Sequence, residues 1–246
     1  MAEEPVLLLV HGFPLDSRMW HHQVNGLSGF RVIAPDLDGH GVSPAGSPAH
    51  SVEDMARALA ARLDSAAVAQ VHLGGFSMGG YAALAFLRLF PDRVLSLALV
   101  DTRANADNQA GRQGRDAMIA RIREAGSGVA AEAMLPKMFV EGGDQGRRRE
   151  TEEWMLAQPA EALIADLTAM RERPDSTGML GAIKVRTLVV VGDQDPITPP
   201  DVAEAMAAAI PGARLVTIKG AAHLSPVEQP DQVNSAFRDF LDQLNG

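Results

Sequence analysis

The sequence predicts an α/β protein, with a mostly parallel sheet of about six strands, helices on both faces and an inserted helical cap. Three observations carry this expectation. Short β-branched or leucine-rich runs recur between longer alanine-rich stretches. Most of these runs are continuously apolar, as strands covered on both faces are. One long interval, residues 102–184, then breaks the rhythm with helical spacing and no strand signal.

Taken in chain order, Val6 to Val10 and Arg31 to Ala34 are the first two expected strands. Ser51 ahead of Val52, Glu53 and Asp54 opens a helix, because its hydroxyl can accept from an unpaired first-turn N–H and the acids sit near the positive helix end. Val71 to Leu73 and Val94 to Val100 follow as strands. Within 102–184, Met118, Ile119 and Ile122, then Leu163, Ile164 and Leu167, repeat at helical spacing. The methionines of this interval are read mostly as packing, with some facing the site. Thr187 to Val191 and Arg214 to Ile218 complete the sheet, and Asp201 opens an alanine-rich helix running to Pro211 between them. The expected division is therefore 1–101 and 185–246 as the core, with 102–184 as the cap.

Composition excludes several function classes. The 246 residues are 46% apolar and 22% charged, which suits a packed enzyme-sized chain. A formal net charge of −9 opposes binding to nucleic acid or anionic lipid, which carry the same sign. There is no cysteine, so disulfides and Cys-ligated zinc are out, and no His pair has the spacing of a helical metal site. No metal or cofactor is expected. The start, Met-Ala-Glu-Glu-Pro and then five apolar residues, lacks the basic and apolar regions of a signal peptide, so a soluble cytoplasmic protein is expected.

Gly75-Phe76-Ser77-Met78-Gly79 matches the pattern of a sharp strand-to-helix turn that lifts a serine clear of a sheet. The bare pattern is common, but here Val71-His72-Leu73-Gly74 precedes it as a strand and Gly80-Tyr81-Ala82-Ala83-Leu84-Ala85 follows as a small-residue helix. Ser77 then sits at a helix N-terminus, where the dipole favours developing negative charge.

Five segments in this order resemble the α/β-hydrolase superfamily, in its small esterase, 3-oxoadipate enol-lactonase-like and cofactor-free perhydrolase branch. They are His11 to Pro14, Asp36 to Ser43, Gly75 to Gly79, Gly192 to Asp195, and Gly220 to His223, and the likeness runs nearly end to end. The resemblance also implies an antiparallel hairpin ahead of the first strand; with five residues before Val6, that hairpin is expected to be missing.

Acyl transfer by a serine needs a base within hydrogen-bond reach and a third group that holds the tautomer of the base. The resemblance implies His223 as base, in a loop after the last strand. It implies Asp195 as acid, with Asp101 and Asp193 as the competing carboxylates. It further implies that the N–H groups of Phe13 and Met78 form the oxyanion hole; Pro14 has no N–H to offer. His72, within a strand, is read as a packed histidine with a backbone partner. Arg103, two residues beyond Asp101, has two readings: a structural ion pair with a cap carboxylate, or, as the enol-lactonase likeness suggests, a receptor for a substrate carboxylate.

The expected activity is hydrolysis of a small carboxylic ester or lactone through an acyl-enzyme. A cofactor-free perhydrolase on the same triad, and a non-turnover ligand receptor, stand as alternatives. The substrate identity and the oligomeric state are not readable from the sequence.

Overall fold

The computed structural model describes residues 4–41 and 48–243; Val42 and Ser43 of the second motif lie outside the described residues. Six strands form one sheet: β1 (Val6–Val10), β2 (Arg31–Ile33), β3 (Val71–Phe76), β4 (Val94–Val100), β5 (Arg186–Gly192) and β6 (Arg214–Ile218). Their order is β2-β1-β3-β4-β5-β6, and every pairing among the described residues is parallel, for example Leu8 with Leu73 and Ala98 with Leu188. β3 runs three residues further than its apolar pattern predicts, through Gly74 to Phe76, because β4 pairs it along that whole stretch and β1 flanks it on the other side.

The continuous apolar character of the strands has a direct cause: alternate residues feed two separate cores. Leu8, Val10, Leu73, Leu97, Leu99, Val189 and Val191 face one, together with α2 (Val52–Ser65), α3 (Met78–Leu89) and α8 (Pro200–Ala209). Leu7, Leu9, Ala98, Val100, Leu188 and Val190 face the other, with Val227 of α9 (Ser225–Glu228), α10 (Pro230–Asp242) and Trp20 at the start of α1 (His21–Gly26). Local signals set the helix ends. Ser51 caps α2 by accepting from Asp54 N–H at 3.0 Å, and the helix read as starting at Asp201 begins at Pro200, where a proline's missing N–H costs nothing.

Between β4 and β5 lie α4 (Gln109–Ala125), α5 (Gly128–Met138), α6 (Gln145–Leu156) and α7 (Ala160–Glu172). These helices add no separate interior. Ile119, Ile122, Leu163 and Leu167 extend the α2–α3 core, and Leu135, Met138, Trp154 and Met155 extend the opposite one. Of the six methionines in this interval, Met138, Met155 and Met170 are buried in the cores, and the other three pack against them. No helix among the described residues is long and apolar enough to cross a membrane.

The strand order places a switch point between β1 and β3, where the chain leaves first toward β2 and then toward β4. Ligands of open parallel sheets bind beyond the carboxyl ends of strands at such a point. Ser77 and the His11–Phe13 segment both begin there.

Candidate active site

The turn after β3 holds Ser77 at φ 49° and ψ −113°, a left-handed backbone rarely adopted by a residue with a side chain. Close packing enforces it. A Cβ at Gly75 would lie 2.2 Å from Gly79 O, and one at Gly79 would lie 2.2 Å from Val10 O and 2.6 Å from His11 O. Only glycine at both places lets α3 double back on its own strand and press its first turn against the end of β1. A Cβ at Gly12 would meet Phe76 O at 2.9 Å, so the segment carrying Phe13 lies directly against the turn carrying Ser77 and Met78. Ser77 N–H donates to Val100 O at 3.0 Å, and the Thr102 hydroxyl donates to Ser77 O at 2.7 Å.

His223, fully buried, lies in the loop after β6. Its Nε2 is 3.0 Å from Ser77 Oγ and its Nδ1 is 2.8 Å from Asp195 Oδ2. A carboxylate can only accept, so Nδ1 carries a proton toward Asp195 and Nε2 is left able to accept from the serine hydroxyl. Phe76 packs on the imidazole at 5.1 Å between ring centroids. The loop itself is pinned by carboxylates: Asp193 accepts from Gly220 and Ala221 N–H, and Glu228 accepts from Ala222 N–H and, across to the chain after α5, from Val140 N–H. Burial pushes the Glu228 carboxyl above its ordinary range, partly offset by these two amides.

Of the three carboxylates in competition for His223, the structure brings Asp195 to it. Asp195 Oδ1 accepts from Ile197 N–H at 2.7 Å and Thr198 N–H at 3.0 Å, and Oδ2 accepts from the Thr198 hydroxyl at 2.5 Å. Burial alone would raise its pKa, but hydrogen bonds from His223 and Thr198 hold it below the ordinary carboxylate range. Asp101 is turned elsewhere: it accepts from Gly192 N–H at 2.8 Å and from the Ser225 hydroxyl. Burial, reinforced by the charge of Asp195, pushes the Asp101 carboxyl well above its usual range.

This has a measurable consequence. A carboxyl whose pKa is higher folded than unfolded loses stabilising value as pH climbs from the unfolded value, about 4, toward the folded one. Asp101→Asn keeps the shape and removes that titration. The Tm difference, variant minus wild type, is therefore expected to widen as pH is raised from about 4 to neutrality in a thermal-melt series; a constant difference would mean that Asp101 is ionised without penalty.

Arg103 forms no ion pair among the described residues, in place of the cap carboxylate that one reading gave it. It donates instead from Nη2 to the carbonyl of Ile197, within the turn that holds Asp195. Arg173 from the end of the insertion stacks nearby, 4.2 Å above the Tyr81 ring, and is paired with Asp107 at 2.9 Å. His72 has a side-chain partner, Ser96 Oγ at 2.9 Å, where a backbone one was expected. Sequence reasoning passed over Glu228 and Thr102 as site supports. Neither had a local signal, unlike Thr198, which lies three residues past Asp195 between Pro196 and Pro199.

No group of three or more His, Asp or Glu able to hold a metal occurs among the described residues. What the arrangement offers is a serine, a base and a carboxylate in one hydrogen-bonded line beside a helix N-terminus. A model of the family described as the α/β-hydrolase fold matches residues 5–230. The dihydrolipoyllysine-residue acetyltransferase component of an acetoin cleaving system from Pseudomonas putida is 32% identical over 241 residues, 96% of this chain, and the chain spans only 63% of that longer protein. Among solved structures, a thermophilic esterase from Thermogutta terrifontis with malate bound aligns at a TM-score of 0.95 and 40% identity, over 98% of this chain and 91% of its own. The enol-lactonase from Burkholderia xenovorans aligns at 0.90 and 27%, over 98% and 92%. With the parallel sheet, the turn at Ser77 and the family match over most of its length, the chain belongs to the α/β-hydrolase fold family.

Proposed function

We propose that this protein is a serine hydrolase that cleaves small carboxylic esters or lactones through an acyl-enzyme. One observation carries the reading: the line from Ser77 Oγ to His223 Nε2 at 3.0 Å and from His223 Nδ1 to Asp195 at 2.8 Å, set on a strained turn at the switch point. In this reading Ser77 Oγ attacks the carbonyl carbon while its proton passes to His223 Nε2. Asp195 fixes the tautomer and stabilises the imidazolium. The oxyanion is met by the N–H groups of Met78 and Phe13, each worth about 3–4 kcal/mol in comparable sites. Collapse breaks the bond to the alcohol oxygen, which takes the proton from His223; in a lactone that alcohol stays tethered to the acyl group. Water, deprotonated by His223, then frees the acid and restores Ser77. The esterase and enol-lactonase among the similar structures support ester chemistry. The test is a panel of esters and lactones, with and without a free carboxylate, in which many product equivalents should form per protein.

Arg103 is proposed to receive a substrate carboxylate. Its guanidinium has five N–H groups, of which one is committed to Ile197, and the malate bound by the 40% identical esterase is itself a dicarboxylate. Arg103→Ala is expected to raise KM for carboxylated lactones about tenfold or more while sparing neutral esters, because a planar bidentate pair is lost. Equal damage to both substrate types would make Arg103 a support of the Asp195 turn and nothing else.

A further inference from the structure

A second buried polar line runs beside the first and is used by none of the chemistry above. His40, in the loop after β2 and fully buried, lies between two side chains of the insertion: its Nδ1 is 3.0 Å from Gln158 Oε1 and its Nε2 is 2.9 Å from Asp166 Oδ2. Gln158 sits at the junction of α6 and α7, and Asp166 is on α7. The amide orientation of Gln158 is fixed, since its Nε2 donates to Asp16 Oδ2 at 2.7 Å and to Trp154 O at 2.8 Å. Gln158 therefore offers His40 an oxygen. So does Asp166. The Asp166 contact is an ion pair without hydrogen-bond alignment, and with a carboxylate beside one ring nitrogen and an amide oxygen bonded to the other, the doubly protonated imidazolium suits the position.

The line continues into the segment that carries Phe13. Asp16, three residues further on, accepts from Arg18 N–H at 3.0 Å and from the Arg18 guanidinium, and so fixes the turn Ser17–Trp20 at the end of that segment. Asp166, His40, Gln158 and Asp16 thus alternate between the insertion and the core loops, and all four are buried.

We propose that His40 is a buried imidazolium that clamps the helical insertion onto the loop carrying Phe13, a pH-sensitive positioning device for the site. Loss of its proton removes the charge attraction to Asp166 and loosens the clamp. Among the described residues the charged and titratable groups facing this position are Asp166 on α7, Asp16 with its partner Arg18, and His11, whose ring lies 5.0 Å away. His11 cannot take over the charge: its Nε2 accepts from Leu37 N–H at 2.9 Å, and burial together with the charge of His40 pushes its pKa down to about 4. Burial also pulls against a charge on His40, but Asp166 and Gln158 outweigh it and raise the pKa. The sign follows. A raised folded pKa means that the clamp is fully present below the unfolded histidine value, about 6.5, and is lost as pH rises through the higher folded one. This weakens the site from the alkaline side.

The test is an NMR titration of the histidine ring protons of the full chain, with His40 assigned by its loss in His40→Asn. The expected midpoint for His40 lies above the ordinary histidine value. In Asp166→Asn it is expected to fall by about one unit or more, the size of shift an adjacent opposite charge produces. A midpoint at or below the ordinary value in wild type overturns the proposal, and that measurement needs no variant to fold. An unchanged midpoint in soluble Asp166→Asn overturns it too. In the kinetic arm, wild-type kcat for an ester is expected to decline on the alkaline side with the His40 midpoint, and in Asp166→Asn that limb is expected to move to lower pH together with the lowered midpoint. A merely structural Asp166 would lower Tm and leave the limb where it was, which also overturns the clamp. Only the kinetic arm rests on the ester-hydrolase reading: a high His40 midpoint in a protein that turns over no ester would sink that reading and leave the clamp standing.

Discussion

Ser77→Ala is expected to lower turnover of a chromogenic short-chain ester by about a millionfold, the scale on which removal of a triad nucleophile acts. The fold should be indifferent to the change. The hydroxyl of Ser77 meets His223, whereas the bonds that hold the turn come from its backbone, N–H to Val100 and C=O from Thr102. Alanine tolerates the left-handed backbone no worse than serine does, and the enforcing contacts belong to Gly75 and Gly79. Tm is therefore expected to stay within about 2 °C of wild type. A purified Ser77→Ala protein that keeps a tenth of the activity would place the nucleophile elsewhere in the chain.

Asp195→Asn is expected to reduce kcat by about ten-thousandfold, with KM little changed. An amide in that place can offer a donor to Nδ1, which flips the imidazole to the tautomer whose Nε2 carries a proton and cannot accept one from Ser77. Asp101→Asn should cost less than tenfold. Its carboxyl is already driven toward the neutral form by burial and by the neighbouring charge, so an amide of the same shape changes little, and Ser225 and Gly192 can both still be satisfied. The ranking of the two variants, measured as kcat on one ester, decides the assignment. Should Asp101→Asn prove the more damaging, the acid belongs after β4.

The legible parts of this protein were those whose cause is local. A strand between two cores is apolar at every residue, so β1 and β4 could be bounded to the residue. Ser51 and its acids announced a helix start because capping acts over three residues. The glycines around Ser77 were readable because a missing side chain is itself the signal of close approach. What escaped was pairing at a distance. Nothing near His72 points to Ser96, which meets it only through the register of two strands, and nothing near His40 points to Gln158 or Asp166, more than a hundred residues away. Arg103 illustrates the same limit, since a cation near a sheet edge suggests a carboxylate and the structure supplies a carbonyl. Residues 74–76 were under-read for a related reason, as glycines look unlike a strand until neighbours on both sides hold them.

In the proposed hydrolase, the spacing of Ser77, Asp195 and His223 along the chain shapes how the protein comes into being. Ser77 and His223 are 146 positions apart, with the whole helical insertion and the three strands β4, β5 and β6 threaded between them. On a ribosome adding about 5–20 residues per second, the serine turn leaves the tunnel several seconds before its base exists. On this reading a nascent chain carries the serine with no partner able to take its proton, and hydrolytic power arrives only with the final strand and the loop behind it. Synthesis can therefore proceed without the unfinished enzyme attacking esters around it, and any product truncated ahead of His223 would be catalytically silent, however well its strands had packed.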